Sequence, residues 1–295
     1  MKKGPITPKG FRDINPDLAK KRRDVINTIS DVLESSGFVP IETPSIEYAD
    51  TLLGKYGSEE KLIYQFKDRG GRELALRYDL TVPLARFITN NPNLLKPTFS
   101  RYQIGNVFRG EKPQRGRYRE FIQFDFDTVG SSSLEDDAKV IASAIISVRK
   151  VGLPRAAMAI NDRKNFEGIP SKVITIWDKY YKIGADKVQA EINDDEVFNK
   201  LKNTKETKDY AEVKRILETK YDLNEGKDFF FDKTLARGLD YYTGLVFELK
   251  PSDKPGDLSL GGGGRYDNLI GMFADKQIPA VGFSFGIDRL TEELK

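Results

Sequence analysis

The chain has 295 residues, 39% of them hydrophobic and 32% charged, with a formal net charge of +3. That length suits one large domain, or one domain carrying an insert, and a net +3 permits contact with nucleic acid without arguing for it. With no cysteine and no histidine, disulfides, thiolate nucleophiles, Ser-His-Asp triads, histidine bases and histidine metal sites are all excluded, so any chemistry must run on arginines, carboxylates, tyrosines and the substrates themselves.

Residues 1–15 are irregular, with Pro5, Pro8 and Gly10 and no apolar run behind Met1. No signal peptide is predicted. No run of about 18 apolar residues occurs that could cross a membrane, so a soluble, cytoplasmic chain is the expectation. Asn15 followed by Pro16 marks a helix start. Leu18, Val25, Ile29, Val32 and Leu33 fall close to one helical face, and Gly37 stops the helix. Residues 38–44 read as a strand. Short apolar runs at 63–66 and 73–78 flank Asp68-Arg69-Gly70-Gly71-Arg72 and predict a hairpin with a glycine turn. Asp79-Leu80-Thr81 stands at the start of a helix through Phe87, where an Asp-x-Thr is usually just a cap.

The stretch Phe108 to Asp127, FRGEKPQRGRYREFIQFDFD, has the densest chemistry. It opens Phe108-Arg109-Gly110-Glu111, passes through a basic loop with Lys112, Arg115, Arg117 and Arg119, and closes in alternation. Phe121, Gln123, Asp125 and Asp127 share one face of a strand; Ile122, Phe124 and Phe126 share the other. Two antiparallel strands joined by an arginine loop aim several cations at one point, as a polyphosphate requires. Taken alone, the stretch fits a charged surface hairpin equally well.

Ser132 to Glu135 has capping-box spacing, and Ala138, Ile141, Ala142 and Ile145 in the helix behind it are candidate core. A strand is predicted over 156–160. Residues 164–226 change character: they are lysine-rich, hold the single tryptophan, Trp177, and carry short helical patterns such as Val213 to Leu217. They predict a helical insert with no chemical signature. Strands return at 229–231, 245–249, 258–260 and 280–285, the last passing into a helix over 287–294. The predicted fold is α+β, a mainly antiparallel sheet flanked by helices, with one domain formed by 1–163 and 227–295 around the insert. Gly261 to Gly264 lacks the strand, Gly-x-Gly-x-x-Gly and helix order of a dinucleotide fold.

Three further blocks stand in order behind FRGE and its returning Phe121. They are Arg237-Gly238-Leu239-Asp240-Tyr241-Tyr242-Thr243-Gly244, Gly261-Gly262-Gly263-Gly264-Arg265-Tyr266-Asp267, and Gly282-Phe283-Ser284-Phe285-Gly286-Ile287-Asp288-Arg289-Leu290. Together they resemble the histidyl-tRNA synthetase family of class II aminoacyl-tRNA synthetases, from about residue 8 to residue 290. FRGE to Phe121 is similar to motif 2 and GFSFGIDRL to motif 3. RGLDYYTG and GGGGRYD are similar to the two histidine-specific loops. The helix and strand of 16–44, ending at Pro44, look like motif 1, which forms the dimer interface in that class; periodicity alone favours an ordinary helix packed on its own core.

The resemblance implies activation of L-histidine by ATP to histidyl-adenylate, then transfer to tRNA(His), by a homodimer. It places Arg109 on the α-phosphate, Glu111 on the adenine amino group, Phe121 and Arg289 on the two adenine faces, and Arg117 on the terminal phosphates. Arg237 would set its guanidinium against the α-phosphate and the substrate carboxylate; an ion pair with Asp240 or Glu248 is its structural alternative. Asp79 and Thr81 would take the α-amino group, and Asp127 and Tyr242 the imidazole, with Gln123 and Tyr241 nearby. Mg²⁺ is expected mainly on the β- and γ-phosphates, with no protein metal site. Members of the family from bacteria often carry Glu at the place of Asp127; Gln-Phe-Asp-Phe-Asp resembles the archaeal and eukaryotic form.

Family members continue past motif 3 into an anticodon-binding domain, whereas this chain stops at Lys295. The expectation is a catalytic core without that domain, with weakened tRNA charging. The insert is expected to be a solvated module, with acceptor-stem contact as the alternative. Two competing functions remain: a regulatory, synthetase-like subunit of ATP phosphoribosyltransferase, and a tRNA-sensing domain of the kind fused to a stress kinase. Neither has need of Arg109, Glu111, Arg117, Arg237 and Arg289 together.

Overall fold

A computed structural model describes residues 4–114, 116–236, 241–252 and 259–294. Asn15 caps α1 (Pro16–Ser35) by accepting from Leu18 N at 2.9 Å, and Gly37 leaves it with φ +81°. Val25, Ile29, Val32 and Leu33 are its buried stripe. The strand expected over 38–44 shrinks to β1 (Val39–Pro40). Pro40 and Pro44 have no N–H to give a ladder, although Ile41 N still reaches Tyr102 O at 2.9 Å.

The chain then builds a small antiparallel sheet in the order β2-β4-β3, from β2 (Ile46–Tyr48), β3 (Gln65–Lys67) and β4 (Glu73–Leu76), with α2 (Ala49–Leu52) between the first two. The β3–β4 turn is the predicted glycine turn: Gly71 has φ +80°, and Asp68 Oδ1 accepts from the amides of Gly70 and Arg72. α3 (Thr81–Asn90) follows. β5 (Phe99–Phe108) and β6 (Glu120–Val129) pair along their whole length, from Phe99 opposite Val129 to Phe108 opposite Glu120. α4 (Leu134–Lys150) is capped by Ser133, whose hydroxyl accepts from Glu135 N at 3.2 Å; the cap stands one residue later than the Ser132–Glu135 spacing suggests. β7 (Ala157–Asp162) leads into α5 (Ser171–Trp177), α6 (Tyr180–Ile183), α7 (Ala185–Ile192), α8 (Asp195–Lys202) and α9 (Lys208–Tyr221). The chain returns through β8 (Phe229–Phe231), β9 (Leu245–Lys250), β10 (Gly261–Arg265), β11 (Ala280–Gly286) and α10 (Ile287–Glu293).

The large sheet runs β1-β5-β6-β11-β10-β9-β7-β8. Every pair from β5 to β7 is antiparallel, and only the edge pairs β1/β5 and β7/β8 are parallel. This is the expected α+β arrangement, with helices on a mainly antiparallel sheet. One sheet face carries the main core: Phe124, Phe126, Phe247, Phe283 and Phe285 meet the buried stripes of α1, α4, α9 and α10. Phe126 touches Phe38 edge-on at 5.4 Å and Phe283 at 5.7 Å.

Packing divides the 164–226 stretch in two. α5 to α8 wrap a separate cluster around Trp177, with Phe166, Val188, Phe198 and Leu201. The buried face of α9, Tyr210, Val213, Ile216 and Leu217, belongs to the main core. No described helix is long and apolar enough to cross a membrane.

The Gly261–Gly264 block departs from its expected loop. It is a strand, β10, in the interior of the sheet between β9 and β11. A Cβ on Gly261 would lie 2.5 Å from Ser284 O, and one on Gly263 2.0 Å from Gly282 O. Only glycine permits that approach of neighbouring strands. Of the strand expected over 258–260, Ser259 and Leu260 precede β10 and Leu258 lies outside the described residues.

Candidate active site

The opposite sheet face opens into a cavity of about 450 Å³. Asp79, Thr81, Arg109, Glu111, Arg117, Phe121, Gln123, Asp127, Tyr241, Tyr242 and Arg289 all line it. Arg237 lies outside the described residues. The alternation along β6 accounts for much of this gathering. Phe124 and Phe126 are fully buried in the core, which turns Phe121, Gln123, Asp125 and Asp127 toward the cavity.

One end of the cavity is cationic. Arg109 leaves the end of β5, donates Nε to Tyr78 O at 3.1 Å, and sets its guanidinium 4.3 Å from the Tyr78 ring centre and 5.0 Å from that of Phe121. Arg117 Nη1 lies 3.7 Å from Glu111 Oε2. Arg289, in the first turn of α10, donates Nε to Gly116 O and Nη1 to Ser259 O, both at 3.2 Å. Burial, then the nearby Arg117 and Arg109, push its pKa below the ordinary value, yet a guanidinium stays charged. Three arginines therefore repel one another around a space where a polyanion would relieve them.

The other end is acidic and more deeply buried. Asp79 Oδ1 accepts from the Tyr56 hydroxyl at 2.9 Å, Thr81 N at 3.2 Å and Val82 N at 3.1 Å. It thus caps α3 while facing the cavity. Burial pushes its pKa up, and those bonds pull it back. Asp127 Oδ2 pairs with Arg101 Nη2 at 2.6 Å, and Asp127 Oδ1 accepts from the Tyr266 hydroxyl. Arg101 is completely buried and Asp127 is 3% exposed. Gly282 faces Asp127 across β6 and β11; a Cβ there would strike Asp127 Oδ1. Gln123 donates Nε2 to Ser284 Oγ at 2.7 Å, while its Oε1 has no hydrogen-bond partner. The Tyr242 ring lies beneath Gly264, and Tyr241 stacks edge-on to Tyr266 at 5.9 Å.

The sequence reading passed over several lining residues. Asp125 sits between Gln123 and Asp127 on the same strand face, so the alternation already pointed to it. Tyr266 belongs to the GGGGRYD block. Arg101 carries no local signal, and its pairing with Asp127 emerges only from the β5–β6 register, which puts them opposite each other. Asp178 reaches the cavity from the α5–α6 connection, a long-range placement no local pattern encodes. Arg265, from that same block, is structural: it pairs with buried Asp137 of α4 and donates to Ser131 O at 3.0 Å.

A family profile for histidyl-tRNA synthetase matches residues 10–176 and 184–290. The chain is 40% identical to a histidine–tRNA ligase of Aeropyrum pernix, over 98% of this chain and 74% of that protein. It is likewise 40% identical to one of Wolinella succinogenes, over 99% and 75%. A crystal structure of histidyl-tRNA synthetase from Nostoc superposes with a TM-score of 0.82 at 30% identity, covering 99% of this chain and 76% of that one. With the antiparallel sheet, the arginine-rich end and the acidic end all in their expected order along the sequence, the chain belongs to the histidyl-tRNA synthetase family of class II aminoacyl-tRNA synthetases.

Proposed function

We propose that this chain activates L-histidine with ATP to histidyl-adenylate and passes the histidyl group to tRNA(His). The observation that carries the proposal is that one cavity gathers Arg109, Arg117 and Arg289 together with the buried carboxylates Asp79, Asp125 and Asp127. ATP fits the arginines. Arg109 would hold the α-phosphate and Arg117 the terminal phosphates. Phe121 and Arg289 would sandwich the adenine, and Glu111 would accept from its amino group. Histidine fits the carboxylates, with Asp79 and Thr81 on its α-ammonium and Gln123, Asp127, Tyr241 and Tyr242 around its side chain.

The substrate carboxylate is already a nucleophile. It attacks the α-phosphorus, the bond from that phosphorus to the β-bridging oxygen breaks, and pyrophosphate leaves with the electron pair. No protein base is required, which suits a chain without histidine; positioning and charge stabilisation suffice. Arg237 is assigned to the α-phosphate and the attacking carboxylate. Mg²⁺ is assigned to the β- and γ-phosphates of the nucleotide, where it would screen their charge. In the second step the terminal hydroxyl of the tRNA attacks the carbonyl, and its proton goes to the departing phosphate oxygen of the adenylate.

A homodimer in the cytoplasm is part of the same proposal, with 16–44 at a two-fold interface. The test is ATP–pyrophosphate exchange: it should depend on L-histidine and on no other amino acid, and Arg109→Ala should lower it at least ~10²-fold, the scale for removing one preorganised charge. Well-folded protein that gives no exchange would redirect the assignment to a regulatory, histidine-sensing role.

A further inference from the structure

Asp125 stands in the floor of the cavity with no role in the assignments above. It is 2% exposed, and its Oδ1 has no hydrogen-bond partner. Arg101 and Gln103 face it from β5, Asp127 from β6 and Ser284 from β11. Among the described residues, Arg77 beyond β4, Asp79 before α3 and Tyr266 beyond β10 also act on it. Arg101 is committed elsewhere: Nη2 to the Asp127 carboxylate and Nη1 to the backbone carbonyl of Asp125. Arg77 is tied to Thr43 O and Asn106 O. Gln123 Oε1 beside it is a second buried acceptor without a donor. Ser284 acts on the carboxylate as a hydrogen-bond donor, yet among the described residues none donates to Oδ1, and a deeply buried acceptor of this kind calls for a partner; Asp125 lines the cavity.

We propose that Asp125 is a specificity-determining residue that accepts a ring N–H of the bound histidine, and that Asp125 and Asp127 together hold the ring as the imidazolium. The inference rests on histidine being the substrate of this cavity. Residues two apart on one strand face are separated by roughly 6.7 Å, twice the rise per residue. A five-membered ring can bridge that span with one hydrogen bond at each end. Only the imidazolium has a donor on both nitrogens. Charge agrees with geometry. Asp79, Asp125 and Asp127 gather at this end, with Arg101 and Arg77 already bonded to Asp127 and to backbone carbonyls, and a histidine with both its ammonium and its ring charged brings them further positive charge. Burial lifts the Asp125 carboxyl to about 7, with Asp127 and Asp79 adding to the rise and Arg101 and a hydrogen bond from Ser284 opposing it; a cation bound beside it would drive its proton off.

The assignment is tested by Asp125→Asn, which keeps shape and removes charge. The histidine KM in pyrophosphate exchange should rise about 10-fold or more, which is about 1.4 kcal/mol, while the ATP KM holds within about twofold. Discrimination against 1,2,4-triazolylalanine, whose ring stays neutral, should fall. Calorimetry on wild-type protein in buffers of different ionisation enthalpy gives a readout free of any mutation. At pH 8 a free imidazole is neutral, its ordinary pKa being ~6.5, so binding as imidazolium must take up close to one proton per histidine. At pH 5.5 both partners start protonated and binding must release one. No proton uptake at pH 8, or an unchanged histidine KM in a folded Asp125→Asn protein, overturns the assignment while leaving histidine activation standing. Absence of histidine-dependent exchange in the wild type would overturn both.

Discussion

Arg101→Met isolates the least legible element of the site. Arg101 is fully buried, its partner Asp127 is 3% exposed, and they meet at 2.6 Å. Methionine keeps most of the stem volume but leaves a buried carboxylate whose remaining bond, among the described residues, is to Tyr266. Breaking one half of a buried pair costs about 3–5 kcal/mol. The loss should depend on pH. Burial already raises the Asp127 carboxyl, and Arg101 is the strongest opposing influence; without it the folded-state value climbs further. Between the unfolded value of ~3.9 and that higher folded value, the native state then binds more protons than the unfolded state, so stability falls as pH rises. Urea unfolding at pH 5 and pH 8, with m-values compared, is the assay. The variant should lose more at pH 8 than at pH 5. Adding Asp127→Leu should recover much of the deficit, since removing both partners of a buried pair is often near neutral. A double variant as unstable as the sum of the two singles, or a single loss under about 1 kcal/mol at both pH values, would refute the reasoning.

Arg237→Ala should lower histidine-dependent pyrophosphate exchange at least ~10²-fold with ordinary thermal stability; a rate near wild type would return Arg237 to a structural ion pair. Gly263→Ala puts a Cβ 2.0 Å from Gly282 O and 2.7 Å from the Phe247 ring, and backbone in an interior strand pair cannot step aside. Its unfolding free energy should drop by at least the ~1–3 kcal/mol of ordinary overpacking, whereas Gly4→Ala, with open space around it, should change nothing measurable. Sedimentation at micromolar concentration should find a dimer. Val39, Ile46 and Tyr48, 46–54% exposed in the single chain, give the 16–44 region and its flank apolar surface to bury, and a monomer would count against that interface.

What could be read in advance follows from how far each signal reaches along the chain. α1 has its cap, its proline and its stop within a span of residues 15–37, and the alternation of β6 needs only neighbours one and two places away. Register and long-range pairing are different. Nothing near Arg101 names Asp127, since their meeting depends on the turn between β5 and β6. The glycine block was misjudged for a related reason. Its resemblance to a family loop implies a loop, but Gly261 and Gly263 are required by the carbonyls of Ser284 and Gly282 across on β11. The shortened β1 is the converse: its prolines were visible, and their missing donors decided the outcome.

The cavity's polarity is itself a consequence of one strand. β6 enters at Phe121 beside the Arg109 guanidinium and reaches Asp127 six residues later, roughly 20 Å at ~3.3 Å per residue. Along that line the same face changes from aromatic to amide to carboxylate, while Arg109, Arg117 and Arg289 gather at its start. An amino acid with a cationic ring and a cationic ammonium cannot lie along such a gradient in either sense. Its ring and ammonium are drawn to the Asp125–Asp127 end and its carboxylate to the arginines, where the α-phosphate of ATP would sit. On the proposed assignment the nucleophile would thereby be aimed at its target by the field of the site. Reversing the gradient locally, with Gln123→Lys at its midpoint, should therefore impair the histidine KM and the exchange rate together while sparing the ATP KM. If the lysine variant lost ATP affinity and kept histidine affinity, orientation by the acidic end would be the wrong explanation.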